Sequence, residues 1–305
     1  MKKIVILSGK GGTGKTTVAA ALAHLASERT SLVLVDADVD AANLELLLSP
    51  LKQEKHDFWG SKVAEIDSEV CNSCAKCFEV CRFDAVMKLD SKKARTNPQG
   101  DHSRFIFRID PTACDGCAAC FYQCPVDAIR LLDRKDGEWF RSKTRYGALF
   151  HAHLFAGHEN SGKLVNILKQ RANNFISQSN AELLLIDGPP GIGCPVIAAS
   201  SDVDLALLIV EPTVSGIHDL KRILDTTHHF KIPAFVVINK ADLNRNLSMR
   251  IIRYLDDNGL MMIGEIPFDT IVIEAVTQGK PVTEYSNGQV SLAIKNIWNT
   301  LEKEL

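Results

Sequence analysis

Ten residues near the start of the chain, Ser8-Gly9-Lys10-Gly11-Gly12-Thr13-Gly14-Lys15-Thr16-Thr17, restrict its fold more than any other stretch. The apolar run Ile4-Val5-Ile6-Leu7 leads into them, and an alanine-rich run with helical character, Val18 to Ala26, leads out. A strand, a glycine turn and a helix in that order make a parallel α/β unit. Gly9 with Gly14-Lys15-Thr16 fits the pattern G-x-x-x-x-G-K-[ST], in which residues without side chains let backbone N–H groups converge on phosphate oxygens at a helix N-terminus. Lys15 then reaches the β- and γ-phosphates and Thr16 offers a hydroxyl to Mg²⁺, while Gly11, Gly12, Thr13, Gly14 and Thr17 complete the nucleotide cradle.

A second lysine narrows the choice. With Lys10 inside the loop the element reads Lys-Gly-Gly-Thr-Gly-Lys-Thr, which resembles the deviant Walker A of the MinD/Mrp/nitrogenase-iron-protein class of P-loop ATPases. The resemblance implies a mostly parallel sheet with flanking helices, ATP and Mg²⁺ as ligands, and a homodimer in which Lys10 reaches the partner's nucleotide. A cation placed there stabilises charge that develops on the transferred phosphoryl, as Lys15 does from its own side. The bland reading of Lys10 is a solvated loop lysine.

Thr30 to Asp40 reads as a second buried strand, Leu32-Val33-Leu34-Val35, ending in Asp36-Ala37-Asp38-Val39-Asp40. Ligands in open α/β sheets gather at the C-terminal strand ends, so these acids are placed beside the glycine loop. The resemblance maps Asp38 onto the family's water-orienting aspartate and Asp36 onto a neighbour of the metal, with Asp40 as the other candidate. A third apolar run, Leu183 to Ile186, ends in Asp187-Gly188-Pro189-Pro190-Gly191, which places Asp187 at a Walker B position holding Mg²⁺. The residues after it resemble the family's switch II loop.

From about His56 to Asp133 the composition changes. Cys71-x-x-Cys74-x-x-Cys77-x-x-x-Cys81 recurs as Cys114-x-x-Cys117-x-x-Cys120-x-x-x-Cys124, and Asp84-Ala85-Val86 is echoed by Asp127-Ala128-Ile129. Each run resembles that of bacterial-type ferredoxins, and two in tandem are similar to a two-cluster ferredoxin domain inserted into the ATPase. That resemblance implies one [4Fe-4S] cluster on Cys71, Cys74, Cys77 and Cys124 and a second on Cys114, Cys117, Cys120 and Cys81, because the fourth cysteine of each run serves the other cluster. Zinc competes for soft thiolates, and two complete runs with Pro125 after Cys124 favour iron–sulfur. Arg82 stands where the first run would have its proline. Lys88 to Asp110, with the turn signal Asn97-Pro98-Gln99-Gly100, reads as a surface hairpin, and Asp133 to Arg145 as a charged return path.

His151, His153 and His158 follow, and their metal reading is set aside because no carboxylate or cysteine pattern completes a site nearby. Leu164 to Phe175 is amphipathic with Ser161 as its cap. Cys194, beside Pro195 at a helix start, is either a small buried residue or a reactive thiolate, the former being favoured. Leu205 to Val210 and Phe235 to Ile238 are further buried strands around the helical Gly216 to His229. Asn239-Lys240-Ala241-Asp242 reads guanine in GTPases, whereas in the ATPase class resembled here Asn239 contacts adenine; Lys10 and the aspartates favour ATP. Ile263 to Asp269, including Pro267, resembles the base-side loop. Ile294, Ile297, Trp298, Leu301 and Leu305 form one apolar face of a nearly neutral C-terminal helix, suited to packing on the sheet rather than on a membrane.

The 305 residues, 46% hydrophobic and 24% charged, suffice for a main domain and a smaller one. A formal net charge of -2 argues against nucleic acid, no apolar run is long enough for a membrane span, and the N-terminus has no signal-peptide core, so the expected location is the cytoplasm. The domains expected are an ATPase at 1–57 and 134–305 and a ferredoxin-like α+β insert at 58–133. The resemblance implies an ATP-hydrolysing homodimer that couples nucleotide state to assembly or delivery of an iron–sulfur or other metal cofactor to an acceptor protein. An ATP-gated electron donor with permanent clusters is the alternative, and a partitioning or docking protein a third reading.

Overall fold

The computed structural model describes residues 1–96 and 102–304. The turn signal at 97–100 and Leu305 lie outside the described residues. In chain order the elements are β1 (Lys2–Ser8), α1 (Lys15–Ser27), β2 (Leu32–Asp36), α2 (Leu44–Leu48), β3 (Leu51–Ile66), α3 (Lys76–Val80), β4 (Val86–Thr96), β5 (His102–Ile109), α4 (Ala119–Gln123), β6 (Ile129–Lys143), β7 (Gly147–Leu154) and α5 (Ser161–Ser179). The second half continues with β8 (Leu183–Pro190), α6 (Cys194–Ser200), β9 (Leu205–Val210), α7 (Val214–His229), β10 (Ala234–Asn239), α8 (Arg245–Asp257), β11 (Met261–Ile266), α9 (Ile271–Thr277), α10 (Val282–Tyr285) and α11 (Gln289–Glu304).

Two compact units result. The first comprises Met1–His56, Glu138–Leu154 and Ser161–Leu305, and the second Asp57–Gly137 and Phe155–Asn160. The main sheet has the order β11-β10-β9-β1-β8-β2-β7-β6-β3, and the chain passes between units within β3 and β6. In the first unit β1 runs parallel to both β8 and β9, and β2 parallel to both β8 and β7. Continuous apolar strands are the cause: every residue of β2 and β9 is buried, as parallel strands covered on both faces require. Each fully buried Leu or Ile contributes about 1.5–3 kcal/mol. Helix α1 is buried nearly all round. Helix α11 packs Ile294, Ile297, Trp298 and Leu301 into the same core, and a Cβ on Gly264 of β11 would meet Ile297 at 2.5 Å. Among the described residues no helix is long and apolar enough to cross a membrane.

Two readings of the sequence are corrected. The charged return path at Asp133 to Arg145 is for the most part strand β6, with Trp139 and Phe140 buried. Its charges pair with charges on β3, Arg141 with Glu54 at 2.5 Å and Glu138 with Lys55 at 2.8 Å, and His56 stacks on Trp139 at 4.1 Å. Ser161 is the first residue of α5 rather than its cap. Strand β8 continues through Gly188 to Pro190, with Pro190 in register with Ser8, so the turn after it begins only at Gly191.

The second unit is built on a repeat of 43 residues, Cys71 to Cys114, carried through to α3 and α4. Ser73 and Gly116, Ala75 and Ala118, and Asp84 and Asp127 are left-handed pairs at equivalent positions. At Gly116 a Cβ would meet the Lys62 carbonyl at 2.2 Å, which is why glycine stands there and serine suffices at 73. The halves close each other: Asp67 N–H donates to Ala128 O and Asp110 N–H to Ala85 O, both at 2.7 Å. Strands β4 and β5 form an antiparallel hairpin.

Candidate functional site

In the first unit the glycine loop joins β1 to α1. Gly12 and Gly14 have φ of 78° and 90°, conformations that favour glycine. The Asn239 amide donates to Thr13 O at 2.8 Å, and a Cβ on Gly14 would meet that amide at 2.3 Å. Asn239, at the end of β10, therefore holds the loop from behind. Gly12, Gly14 and Thr17 line a cavity of about 350 Å³ whose other walls are mainly apolar, Pro267, Phe268 and Val272 among them, with Asn239, Lys240 and Asp269 as polar members. That shape suits a flat base with its phosphates at the loop. Asp242, the last member of the Asn-Lys-x-Asp element, accepts the Phe268 N–H at 2.7 Å and is thereby committed to shaping the base-side loop.

At the strand ends Asp36 stands in direct register with Asp187 across the β2–β8 pair, and both are fully buried. Burial, and then Asp187, push the Asp36 carboxyl well above its ordinary range, although it accepts the N–H groups of Leu44 at 3.0 Å and Asp38 at 3.2 Å. Burial pushes Asp187 up to about 7, against the pull of Thr16 and Lys15. Neither Asp187 oxygen has a hydrogen-bond partner of good geometry. Asp38 is raised by burial and held down by Lys15. The Lys15 ammonium, 5% exposed, is lowered by burial and supported by Asp187, Asp38 and Asp36. Three acids thus share one buried lysine, an excess of negative charge that a divalent cation would relieve. Asp40 is exposed.

Lys10 does not point into its own cradle. Its ammonium donates to Thr213 Oγ1 at 3.0 Å and Ser215 Oγ at 3.1 Å and lies 3.6 Å from Glu211, which also binds Lys240 at 2.5 Å. Thr213 doubles as the N-cap of α7, accepting the Gly216 N–H at 2.9 Å. Nothing in the sequence pattern singled out these three partners. Cys194 is exposed at the start of α6, contrary to the favoured buried reading, because the turn after β8 leaves the helix start uncovered.

The second unit gathers the other eight cysteines. Cys71, Cys74, Cys77 and Cys124 line one small cavity, and Cys81, Cys114, Cys117 and Cys120 line another. Cys77 and Cys114 are buried in the unit's apolar core with Ala64, Val86, Phe107 and Ile129. Burial, then Cys71, raise the Cys77 thiol to about 11, and burial, then Cys114, raise Cys120. Backbone N–H groups of Ser73 and Ala128 face the sulfurs of Cys71 and Cys124 at 3.4 and 3.2 Å. Among the described residues no three cysteine sulfurs lie within 4.8 Å of one another, whereas a single zinc bound at about 2.3 Å would draw its sulfurs to about 3.8 Å. The quartets as they stand are spaced more widely than a single zinc requires. Arg134 ties the second cysteine loop to β6 through the carbonyls of Cys114 and Pro111 at 3.0 and 3.2 Å, while its Nε binds Asp136 at 2.9 Å.

The expectation that no carboxylate accompanies His151 and His153 is also corrected: Glu45 of α2 lies between them. The acid is far away in sequence and arrives only through the packing of α2 near β7.

The profile of the CobQ/CobB/MinD/ParA nucleotide-binding domain matches residues 4–282. Protein MJ0578 of Methanocaldococcus jannaschii is 35% identical over 99% of this chain and 96% of its own. A putative septum site-determining protein MinD of Mesostigma viride is 25% identical over 92% and 76%. Among solved structures, MinD of Pyrococcus horikoshii complexed with Mg-ADP superposes with a TM-score of 0.59 at 15% identity, over 99% of this chain and 96% of that one. McdA of Cyanothece complexed with ATP gives 0.59 at 16%, over the same shares. The last two likenesses concern the fold.

Proposed function

This chain belongs to the CobQ/CobB/MinD/ParA nucleotide-binding family, and from that premise we propose that it is a Mg²⁺-dependent ATPase whose nucleotide state governs assembly or delivery of an iron–sulfur or other metal cofactor. The observation that carries this reading is the division of eight cysteines into two quartets, each lining its own cavity on a chain that also has a phosphate loop. Residues 58–133 form the ferredoxin-like insert in this proposal, with 1–57 and 134–305 as the ATPase. One [4Fe-4S] cluster belongs to Cys71, Cys74, Cys77 and Cys124, the other to Cys81, Cys114, Cys117 and Cys120. Such clusters supply one-electron transfer or transferable iron and sulfide.

On the nucleotide side, Lys15 binds phosphate oxygens together with the N–H groups from Gly11 to Thr17. Thr16 and the orphaned oxygens of Asp187 hold Mg²⁺, which neutralises phosphate charge. Asp38, kept in register with the loop by Lys15, orients the attacking water. Asp36, accepting the Leu44 and Asp38 N–H groups, fixes the bend after β2. Pro267 and its neighbours take the adenine, and the commitment of Asp242 to Phe268 favours ATP over GTP. Lys10 acts across a homodimer, and to do so it leaves Thr213, Ser215 and Glu211.

Four thiolates per cavity, two of the eight deeply buried, favour the electron-donor alternative in one respect: such ligation suits permanent wiring rather than cargo. The test is anaerobic purification followed by MgATP and an apo-ferredoxin acceptor. ATP-dependent movement of ⁵⁵Fe to the acceptor is expected for delivery. Reduction of an oxidised ferredoxin by protein pre-reduced with dithionite and desalted, without iron transfer, selects the donor, and the absence of both transfers leaves a docking ATPase.

A further inference from the structure

Strand β7 presents His151 and His153 at alternate positions, hence on one face, and the first turn of α2 brings Glu45 to them. His151 Nδ1 lies 3.1 Å from one Glu45 oxygen and His153 Nε2 lies 3.3 Å from the other. The three ligand atoms are all within 4.8 Å of one another. A tetrahedral ion held at about 2.0–2.1 Å has ligand-to-ligand edges of about 3.3 Å, so three atoms within 4.8 Å of one another need close by no more than about 1.5 Å to hold it.

His151 is fully buried, and its Nδ1 makes no hydrogen bond despite facing a carboxylate. Its other nitrogen, Nε2, is 2.9 Å from Ser142 Oγ on β6. With Nε2–H donating to Ser142, as metal-bound histidines commonly donate to an outer partner, Nδ1 turns a lone pair toward Glu45. Two electron-rich groups then face each other with nothing positive between them. Phe140 walls the site, stacked on His151 at 5.2 Å and edge-on to His153 at 5.5 Å. His153 and Glu45 keep partial exposure, which leaves an entry and an open position.

We propose that Glu45, His151 and His153 form a binding site for a borderline divalent cation of the zinc class, separate from both the phosphate loop and the cysteines. Two imidazoles and one carboxylate suit Zn²⁺, Co²⁺ or Fe²⁺ and disfavour Mg²⁺ and Ca²⁺, which take oxygen. Ser142 is a positioning residue that fixes the His151 ring. Lys52, whose Nζ is 4.1 Å from the Phe140 centroid, opposes the cation and weakens the site.

The proposal stands independently of the cysteine reading, and Co²⁺ separates the two. Full-length protein is titrated with Co²⁺, and the wild-type minus His153→Ala difference spectrum is recorded. One equivalent with visible d–d bands and no thiolate charge-transfer band is expected in that difference, whatever the cysteines bind. Glu45→Gln loses the same equivalent. Ser142→Ala weakens binding by about 10–100-fold, the usual cost of an outer-shell partner, and Lys52→Met strengthens it. Circular dichroism guards against misfolding, and the partly exposed Glu45 and His153 keep the test open where buried His151 would not. A flat difference spectrum, or one carrying thiolate bands, overturns the proposal.

Discussion

The two units handle buried charge in opposite ways. In the first, carboxylates crowd a single lysine at strand ends held rigid by a large apolar core, so the scaffold stands whether or not the charge is answered. In the second, the cysteines are themselves part of a small core, so on the function proposed above ligation and folding of that unit would be coupled. Oxygen donors on a rigid frame suit an ion that comes and goes with nucleotide, whereas sulfur donors that also build a core would tie any cofactor to the fold.

The largest effect expected from this contrast comes from Cys77→Ser or Cys114→Ser. Iron content should fall and protease cleavage within 57–137 should rise roughly 5- to 30-fold for each 1–2 kcal/mol lost, with ATP affinity unchanged. Loss of ATP binding in either variant would break the contrast, because the first unit would then depend on the second. Next, Lys15→Ala should lower ATP hydrolysis by about 10²–10³-fold while leaving iron content intact, as measured by phosphate release and iron assay.

A pH series sharpens the comparison further. Asp187 has a folded value of about 7 against an ordinary 3.8, so the folded chain retains a proton that the unfolded chain releases. The stability from this group is full below about pH 4 and is lost as pH rises through about 7. Metal-free protein should therefore melt at lower temperature at pH 8 than at pH 5, and MgATP should reverse that trend by binding the ionised form. Asp187→Asn should reduce the slope in scanning fluorimetry, leaving the part contributed by Asp36, which burial raises as well.

Smaller effects probe the loops. Gly116→Ala should destabilise the second unit by about 1–3 kcal/mol, whereas Ser73→Gly at the equivalent site should change little, both by thermal melts with iron content followed. Asn239→Ala removes one hydrogen bond to the phosphate loop, about 1 kcal/mol, so ATP should bind several-fold more weakly in calorimetry.

Local patterns were readable from the residues alone. The glycine loop, the apolar strand β9 and the cysteine runs each declare themselves within a few positions, because steric permission, burial and ligand spacing are local demands. Long-range arrangements were not. Nothing near Lys10 names Thr213 or Ser215, nothing near Asn239 names Thr13, and the charges of β6 look solvated until their partners on β3 are known. Glu45 and His151 meet only because α2 and β7 both follow from the winding of the sheet.

The mutual closure of the two halves around the cysteine cavities also bears on how the chain is made. The first cavity lacks a wall until Ile129 leaves the ribosome, and the second until Cys120 does. Both begin at the end of β3, at Ala64 and Ile66, and they are finished at Cys120 and Ile129. A nascent chain halted between Cys81 and Cys114 has neither, so both vessels wait for the second half of the repeat.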